Sequence, residues 1–203
     1  MSTKAAFSPA CERNREPIWA ELKKLIKSDD GVLLEIGAGT GQHAAFMAPQ
    51  LTGLLWYPTD TREKLAGIER WRQQADCERI QSPRVFQVGD SDWPVESGQA
   101  DIVYTANTFH IMPFELVAKL IQQAGENMTK EARFVVYGPF KYGGNFTSVS
   151  NRDFDGQLKA TADHQGIRDF EWIDELFHHA GFRFLKDIAM PANNQLLAYV
   201  KTG

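Results

Sequence analysis

Glu35-Ile36-Gly37-Ala38-Gly39-Thr40-Gly41 is the stretch on which the fold turns. The apolar run Gly31-Val32-Leu33-Leu34 leads into it, and residues 42–51 after it read as a helix. A strand that ends in a glycine-rich turn and enters a helix builds a floor for a ligand. Glycine allows the tight turn and removes the Cβ that would keep a ligand away. The spacing is Gly-x-Gly-x-Gly, whereas a dinucleotide fingerprint needs Gly-x-Gly-x-x-Gly. An acidic residue, Glu35, stands two positions before the first glycine. The bland alternative is a tight strand–helix turn with no ligand. The plan of the remaining chain speaks against it.

Outward from the turn, strand-type and helix-type runs alternate, which is the pattern of a parallel α/β sheet. Upstream, Ser8-Pro9 suits a helix start, with Ser as N-cap and Pro in the first position. Pro17 is expected to break or restart that helix. Ile18, Trp19, Leu22, Leu25 and Ile26 then keep one apolar face at helical spacing. Strands are expected at 32–36, 54–59 (closing at Asp60), 84–88 (closing at Gly89-Asp90), 101–105 and 133–137. Helices are expected at 62–76, with Leu65, Ile68 and Trp71 inward, and at 114–128. Segment 140–169 interrupts the pattern: it is rich in Gly, Asn, Ser, Asp and Arg and poor in aliphatics. It reads as a functional loop, an insert or lid over the site. A helix at 170–180 stops at Gly181. Two final runs, 182–188 and 195–201, flank the turn-like Met190-Pro191-Ala192-Asn193-Asn194 and read as an antiparallel pair.

Composition narrows the function classes. The 203 residues suit one domain. Hydrophobic residues make up 43% and charged residues 24%, as in an ordinary globular protein. A formal net charge of −4 argues against a broad nucleic-acid surface, which carries a basic excess. Cys11 and Cys77 lie far apart, so neither a disulfide framework nor a zinc site is expected, and no metal is assigned. No apolar run reaches the roughly 18 residues of a membrane span. The N-terminus, with Pro9, Glu12, Arg13 and Asn14, lacks the apolar core of a signal peptide, so a cytoplasmic location is expected.

The Gly-x-Gly-x-Gly turn, with its acidic residue ahead, resembles the first motif of class I S-adenosylmethionine (SAM) methyltransferases. Five strand–helix units and a closing hairpin match that family's plan. The resemblance implies an α/β fold, a doubly wound, seven-stranded and mostly parallel sheet with a terminal antiparallel hairpin. It would form a single domain over 1–203, with an N-terminal arm and helix at 1–30. It also implies SAM as cofactor. Glu35, Gly37, Ala38 and Gly39 would then lie under the methionine end. Asp60 would accept hydrogen bonds from the two ribose hydroxyls, a task suited to a carboxylate. Asp90 and its neighbour Ser91 would lie along the adenine. Asn107, in Thr105-Ala106-Asn107-Thr108-Phe109-His110, would sit beside the methionine moiety. This stretch is not the Asn/Asp-Pro-Pro-Tyr type of nucleic-acid amino methyltransferases, which lowers the nucleic-acid reading. His110 is a candidate general base near neutral pH.

Further segments narrow the resemblance. These are Ser8-Pro9-Ala10-Cys11-Glu12-Arg13-Asn14-Arg15-Glu16-Pro17, Tyr137-Gly138-Pro139-Phe140-Lys141 and Gly166-Ile167-Arg168-Asp169, with Met190-Pro191-Ala192-Asn193-Asn194. Together they are similar to a small family of uncharacterised SAM-dependent methyltransferase-like proteins of bacteria and animals. That implies fold and cofactor, but no particular substrate. In the N-terminal arm, Asn14 or Arg13 is expected to reach the cofactor carboxylate, since guanidinium pairs well with carboxylate. Tyr137, Lys141, Asn145 and Arg152 are the candidate substrate contacts and suit a polar or anionic small molecule. The expected function is methyl transfer to such a molecule by a monomer or weak homodimer. The rival is a SAM-binding sensor or interaction protein without transferase activity. Retained polar residues in the loop after strand five favour the enzyme, and a pocket sealed by apolar packing favours the rival.

Overall fold

The computed structural model describes residues 5–89 and 92–203. Helix α1 (Pro9–Leu22) starts as the sequence predicts: the Ser8 Oγ accepts the Cys11 N–H at 3.3 Å, and Pro9 occupies the first turn. Pro17 does not break it. The proline removes the donor for the Arg13 carbonyl, but Arg13 lies on the exposed face, where water can replace that donor. Ile18 and Leu22, both fully buried, hold the turn that follows.

The chain continues through β1 (Val32–Ile36), α2 (Gln42–Met47), β2 (Leu55–Asp60), α3 (Leu65–Ala75), β3 (Arg84–Val85), β4 (Ile102–Ala106), α4 (Phe114–Asn127) and β5 (Arg133–Gly138). After the insert come α6 (Phe170–His179), β9 (Phe182–Met190) and β10 (Asn194–Lys201). The seven-stranded sheet has the order β3-β2-β1-β4-β5-β10-β9. The pairs β1–β2, β1–β4 and β4–β5 are parallel, and β10 runs antiparallel to both β5 and β9. Strand order reverses between β1 and β4. That switch point opens a crevice at the carboxyl ends of both strands.

Alternate residues of the strands feed two cores, as the two-residue period requires. Leu34, Val103, Phe134 and Val136 face α4 and α6, packing with Leu120, Ile121, Ile173 and Phe177. Leu33, Tyr104, Val135 and Tyr137 face α1 and α2, packing with Ile18, Leu22 and Met47. Truncating any of these aliphatics to Ala would cost about 2–5 kcal/mol.

Three expectations need correction. Helix α3 buries only Ile68; Leu65 and Trp71 are half-buried, and the Trp71 indole donates to the Ala6 carbonyl at 2.7 Å. Strand β3 has two residues and not five, because only Thr59 and Asp60 of β2 are available to pair with it. Segment 140–169 is not a structureless loop. It forms β6 (Phe140–Tyr142), β7 (Asn145–Phe146), the 13-residue helix α5 (Val149–Thr161) and β8 (Arg168–Asp169). The three strands make a second small sheet of order β7-β6-β8. Ser148 caps α5 by accepting the Asn151 N–H at 3.1 Å. Its buried positions include Asn151 and Asp155, so no apolar period betrays the helix.

Candidate functional site

A cavity of about 580 Å³ opens at the switch point. This lies within the roughly 300–1,000 Å³ of small-molecule sites. Its floor is Gly37, Ala38 and Gly39, its far wall Phe86 and Val88, and its roof the loop after β4 together with Phe154 of α5. The glycines serve different ends. A Cβ on Gly37, at φ +69°, would come 2.7 Å from the Thr108 Cγ2, so this glycine lets the β4 loop close on the turn. A Cβ on Gly41 would meet the Ile68 backbone at 3.0 Å, so this one lets α2 start against α3. A Cβ on Gly39 would meet no protein atom within 4 Å, and Gly39 itself lines the cavity.

Asp60 also lines the cavity, at the end of β2. One carboxylate oxygen accepts the Gly39 N–H at 2.7 Å, and the other accepts the Thr61 N–H at 2.7 Å. The carboxylate thus ties the turn to β2; the oxygen bound to Gly39 keeps a lone pair for a ligand hydroxyl, while the other also accepts the Thr61 hydroxyl at 3.4 Å. Burial raises its pKa, and the Gly39 and Thr61 amides pull it back. Asp90 and Ser91, expected along the adenine, lie outside the described residues.

Glu35 does not reach this cavity. It is fully buried beneath the turn, on the α1–α2 side of the sheet, where its carboxylate accepts the Trp56 indole N–H at 2.7 Å. Burial raises its pKa to about 7; the Trp56 bond opposes this, and the charge of Asp60 adds to it. Its position in β1 turns it inward, because side chains alternate along a strand. Beside it, His43 of α2 does line the cavity. Burial lowers its pKa to about 4, so the ring is neutral at pH 7. Its Nδ1 lies 3.2 Å from the Tyr104 hydroxyl and its Nε2 lies 2.8 Å from the Asn14 Oδ1. Burial keeps that hydroxyl protonated.

A second cavity of about 430 Å³ adjoins the first, between α1, the ends of β4 and β5, and the β9–β10 turn. Ala10 and Asn107 line both. Asn107 sits at φ +59°, an uncommon conformation for a non-glycine residue, and its N–H donates to the Tyr137 carbonyl at 2.8 Å. Arg13, Asn14, Tyr137 and Asn194 line the second cavity with it.

The remaining expected residues fall elsewhere. His110 lines the first cavity but does not titrate near neutrality. Burial, and then the charge of Arg168, lower its pKa to about 4, which makes it a weak base. Its ring packs edge-on against Phe154, 5.4 Å between centroids. Lys141 pairs with Asp169 at 3.1 Å, Asn145 is exposed and donates to the Gly143 carbonyl, and Arg152 pairs with Asp153 on the surface of α5. None of the three lines either cavity. Their expected placement assumed a loop draped over the β5 end. The small sheet carries Lys141 and Asn145 outward instead, and α5 holds Arg152 at the surface.

His43, Thr108 and Phe154 are lining residues that sequence reasoning passed over. His43 had a signal: it stands two residues beyond the last glycine, on a helix that starts at the turn. Phe154 had none, because α5 itself had no apolar period. Among the described residues no group of acids, histidines and cysteines could hold a metal ion, and no helix is long and apolar enough to cross a membrane.

The fold has many solved likenesses at low sequence identity. An O-methyltransferase family 2 protein from Planctomyces limnophilus, in complex with apigenin, superposes with a TM-score of 0.80 at 12% identity, over 95% of this chain and 60% of that one. Human N-acetylserotonin methyltransferase in complex with SAM gives 0.75 at 14% identity, over 96% of this chain and 53% of the other. OxaC in complex with S-adenosylhomocysteine (SAH) and oxaline gives 0.71 at 20% identity, over 93% and 47%. The chain spans about half the length of these relatives. At such identities the likeness shows the methyltransferase fold. A family model, described as a protein of unknown function, matches residues 5–201, and the chain belongs to that family, DUF938.

Proposed function

We propose that the protein binds SAM in the first cavity and transfers its methyl group to a small polar molecule in the second. One observation carries the reading. The cavity floored by the glycine turn meets a second cavity at Asn107, so a cofactor and an acceptor can approach each other there. The open position at Gly39 and the lone pair left on the Gly39-bound oxygen of Asp60 fit the methionine and ribose parts of SAM.

When bound, SAM supplies an activated methyl on a sulfonium. Any proton on the acceptor would leave to solvent. What the chain supplies is placement. Asp60 would hold the ribose hydroxyls, and Asn107 would fix the meeting point through its bond to Tyr137. His110, neutral at pH 7, and Phe154 would close the roof against water. The open second cavity, with Arg13, Asn14 and Tyr137 in its wall, supports an enzyme over a sensor, since a sealed apolar space would serve a binding module.

Calorimetry with SAH tests the cofactor half. We expect micromolar binding, on the order of −7 to −8 kcal/mol. No heat and no thermal shift at millimolar SAH would sink the reading.

A further inference from the structure

The second cavity sets a cluster of polar side chains, Arg13, Asn14, Asn107, Tyr137 and Asn194, among apolar ones. We propose that this cavity is the acceptor site, and that it takes a small molecule bearing a carboxylate whose charge is met by Arg13. The proposal rests on the reading of the first cavity as the SAM site.

One of these side chains, Asn14, ends a buried chain of groups: His43, neutral at pH 7, has its Nδ1 against the Tyr104 hydroxyl and its Nε2 against the Asn14 Oδ1. The Asn14 side chain also bears on the Tyr137 hydroxyl: burial raises the pKa of this phenol, while Asn14, the nearby charge of Arg13 and the Asn194 side chain lower it. Tyr137 lines the cavity, and a phenol O–H there can donate to a ligand.

Arg13 completes the wall. It is the one charged residue lining the cavity, no acidic side chain lines it, and Arg13 forms no ion pair among the described residues. Its neighbour Arg15 is paired, with Glu12 at 2.6 Å. A free guanidinium beside a phenolic donor suits an oxyanion, which can accept from both. Pro17 and Pro191 supply apolar walls opposite, and about 430 Å³ accommodates a ring-sized body. Arg13 does not line the first cavity, which favours an acceptor's carboxylate over that of SAM.

The test uses the whole chain saturated with SAH, titrated with benzoate and with benzamide, its neutral counterpart. The wild type should bind benzoate about tenfold more tightly than benzamide. Arg13→Gln, at an exposed position that should not disturb folding, should erase that preference while leaving SAH affinity within about twofold. Tyr137→Phe should weaken benzoate a few-fold, and its unchanged melting would show that the packing survives. Equal binding of benzoate and benzamide, no benzoate binding at tens of millimolar, or a preference that survives in Arg13→Gln would each overturn the proposal. So would a tenfold loss of SAH affinity in Arg13→Gln, which would give the guanidinium to the cofactor's carboxylate. Failure of the wild type to bind SAH, seen before benzoate is added, would instead sink the cofactor reading.

Discussion

The glycine turn at 37–41 and the insert at 140–169 meet across one cavity, but they are held in place by different physics. The turn is fixed by its backbone. Gly37 and Gly41 are small where neighbours press within about 3 Å, and the Gly39 amide is anchored by Asp60. The insert is fixed by buried polar side chains. Asp155 is buried, accepts the Ile167 N–H at 2.7 Å and pairs with Lys159 at 2.7 Å. Arg168, equally buried, donates to the carbonyls of Phe109, Met112 and His164 and lies over the Phe114 ring at 3.8 Å. One guanidinium thus joins the insert to the loop that follows β4. A turn set by backbone shape tolerates little change in residue size. An insert set by side-chain donors tolerates size but not the loss of a partner.

The largest effect should follow from Arg168→Met. The substitution keeps volume but leaves three carbonyls without their donor, and we expect a loss of about 3–5 kcal/mol in urea unfolding. A loss below about 1 kcal/mol would mean that the insert is held by its apolar contacts, and the contrast with the turn would fail. At the turn, Gly37→Val should cost about 3 kcal/mol, from the contact with Thr108 and the left-handed φ together. It should also abolish SAH binding in calorimetry, whereas Arg168→Met should weaken it only as far as folding is lost. Normal SAH binding by the Gly37 variant would remove the turn from the cofactor site.

The two regions should also differ in their dependence on pH. Glu35, under the turn, has its pKa raised to about 7, so the folded chain holds a proton that the unfolded chain releases. Its contribution is lost as pH rises from about 4.5 to 7. His110, under the insert, and His43 have pKa values lowered to about 4, so the unfolded chain binds protons that the folded chain does not. Their contributions are lost as pH falls from about 6.5 to 4. Two histidines outweigh one glutamate at acidic pH, and stability should therefore peak near pH 7. Glu35→Gln should gain on the wild type by on the order of 2–3 kcal/mol between pH 5 and pH 8. A gain that does not change with pH, measured by urea melts at both values, would show that Glu35 is already charged in the fold.

Asp60→Ala should weaken SAH binding by about 1.5–3 kcal/mol, the range for hydrogen bonds to a charged group. It should also loosen the Gly39 amide, visible as faster hydrogen exchange at that position. Unchanged affinity would leave Asp60 as a tether of the turn only. The smallest effect concerns the insert itself. Amides of α5 should exchange more slowly than the exposed turn at Gly143-Gly144, and SAH should slow α5 further where Phe154 meets the cavity. Exchange in α5 as fast as at Gly143-Gly144 would return the insert to a mobile lid.

Much of the fold was legible in the sequence because apolar periodicity and turn chemistry are local. Residues 31–41 announced a strand, a glycine turn and a helix. Ser8-Pro9 announced the start of α1, and the runs around Pro191 announced the antiparallel hairpin. The tertiary structure decided what local pattern cannot carry. It ran α1 through Pro17, where the buried Ile18 and Leu22 hold the turns that follow. It folded 140–169 around Asp155 and Arg168, whose partners lie up to 59 residues away in the chain. It turned Glu35 away from the cavity toward Trp56, and it set Arg13, Asn14, Asn107 and Tyr137 around one space. Charge and hydrogen-bond polarity at a site depend on which groups meet, and groups remote in sequence meet only when the chain has packed.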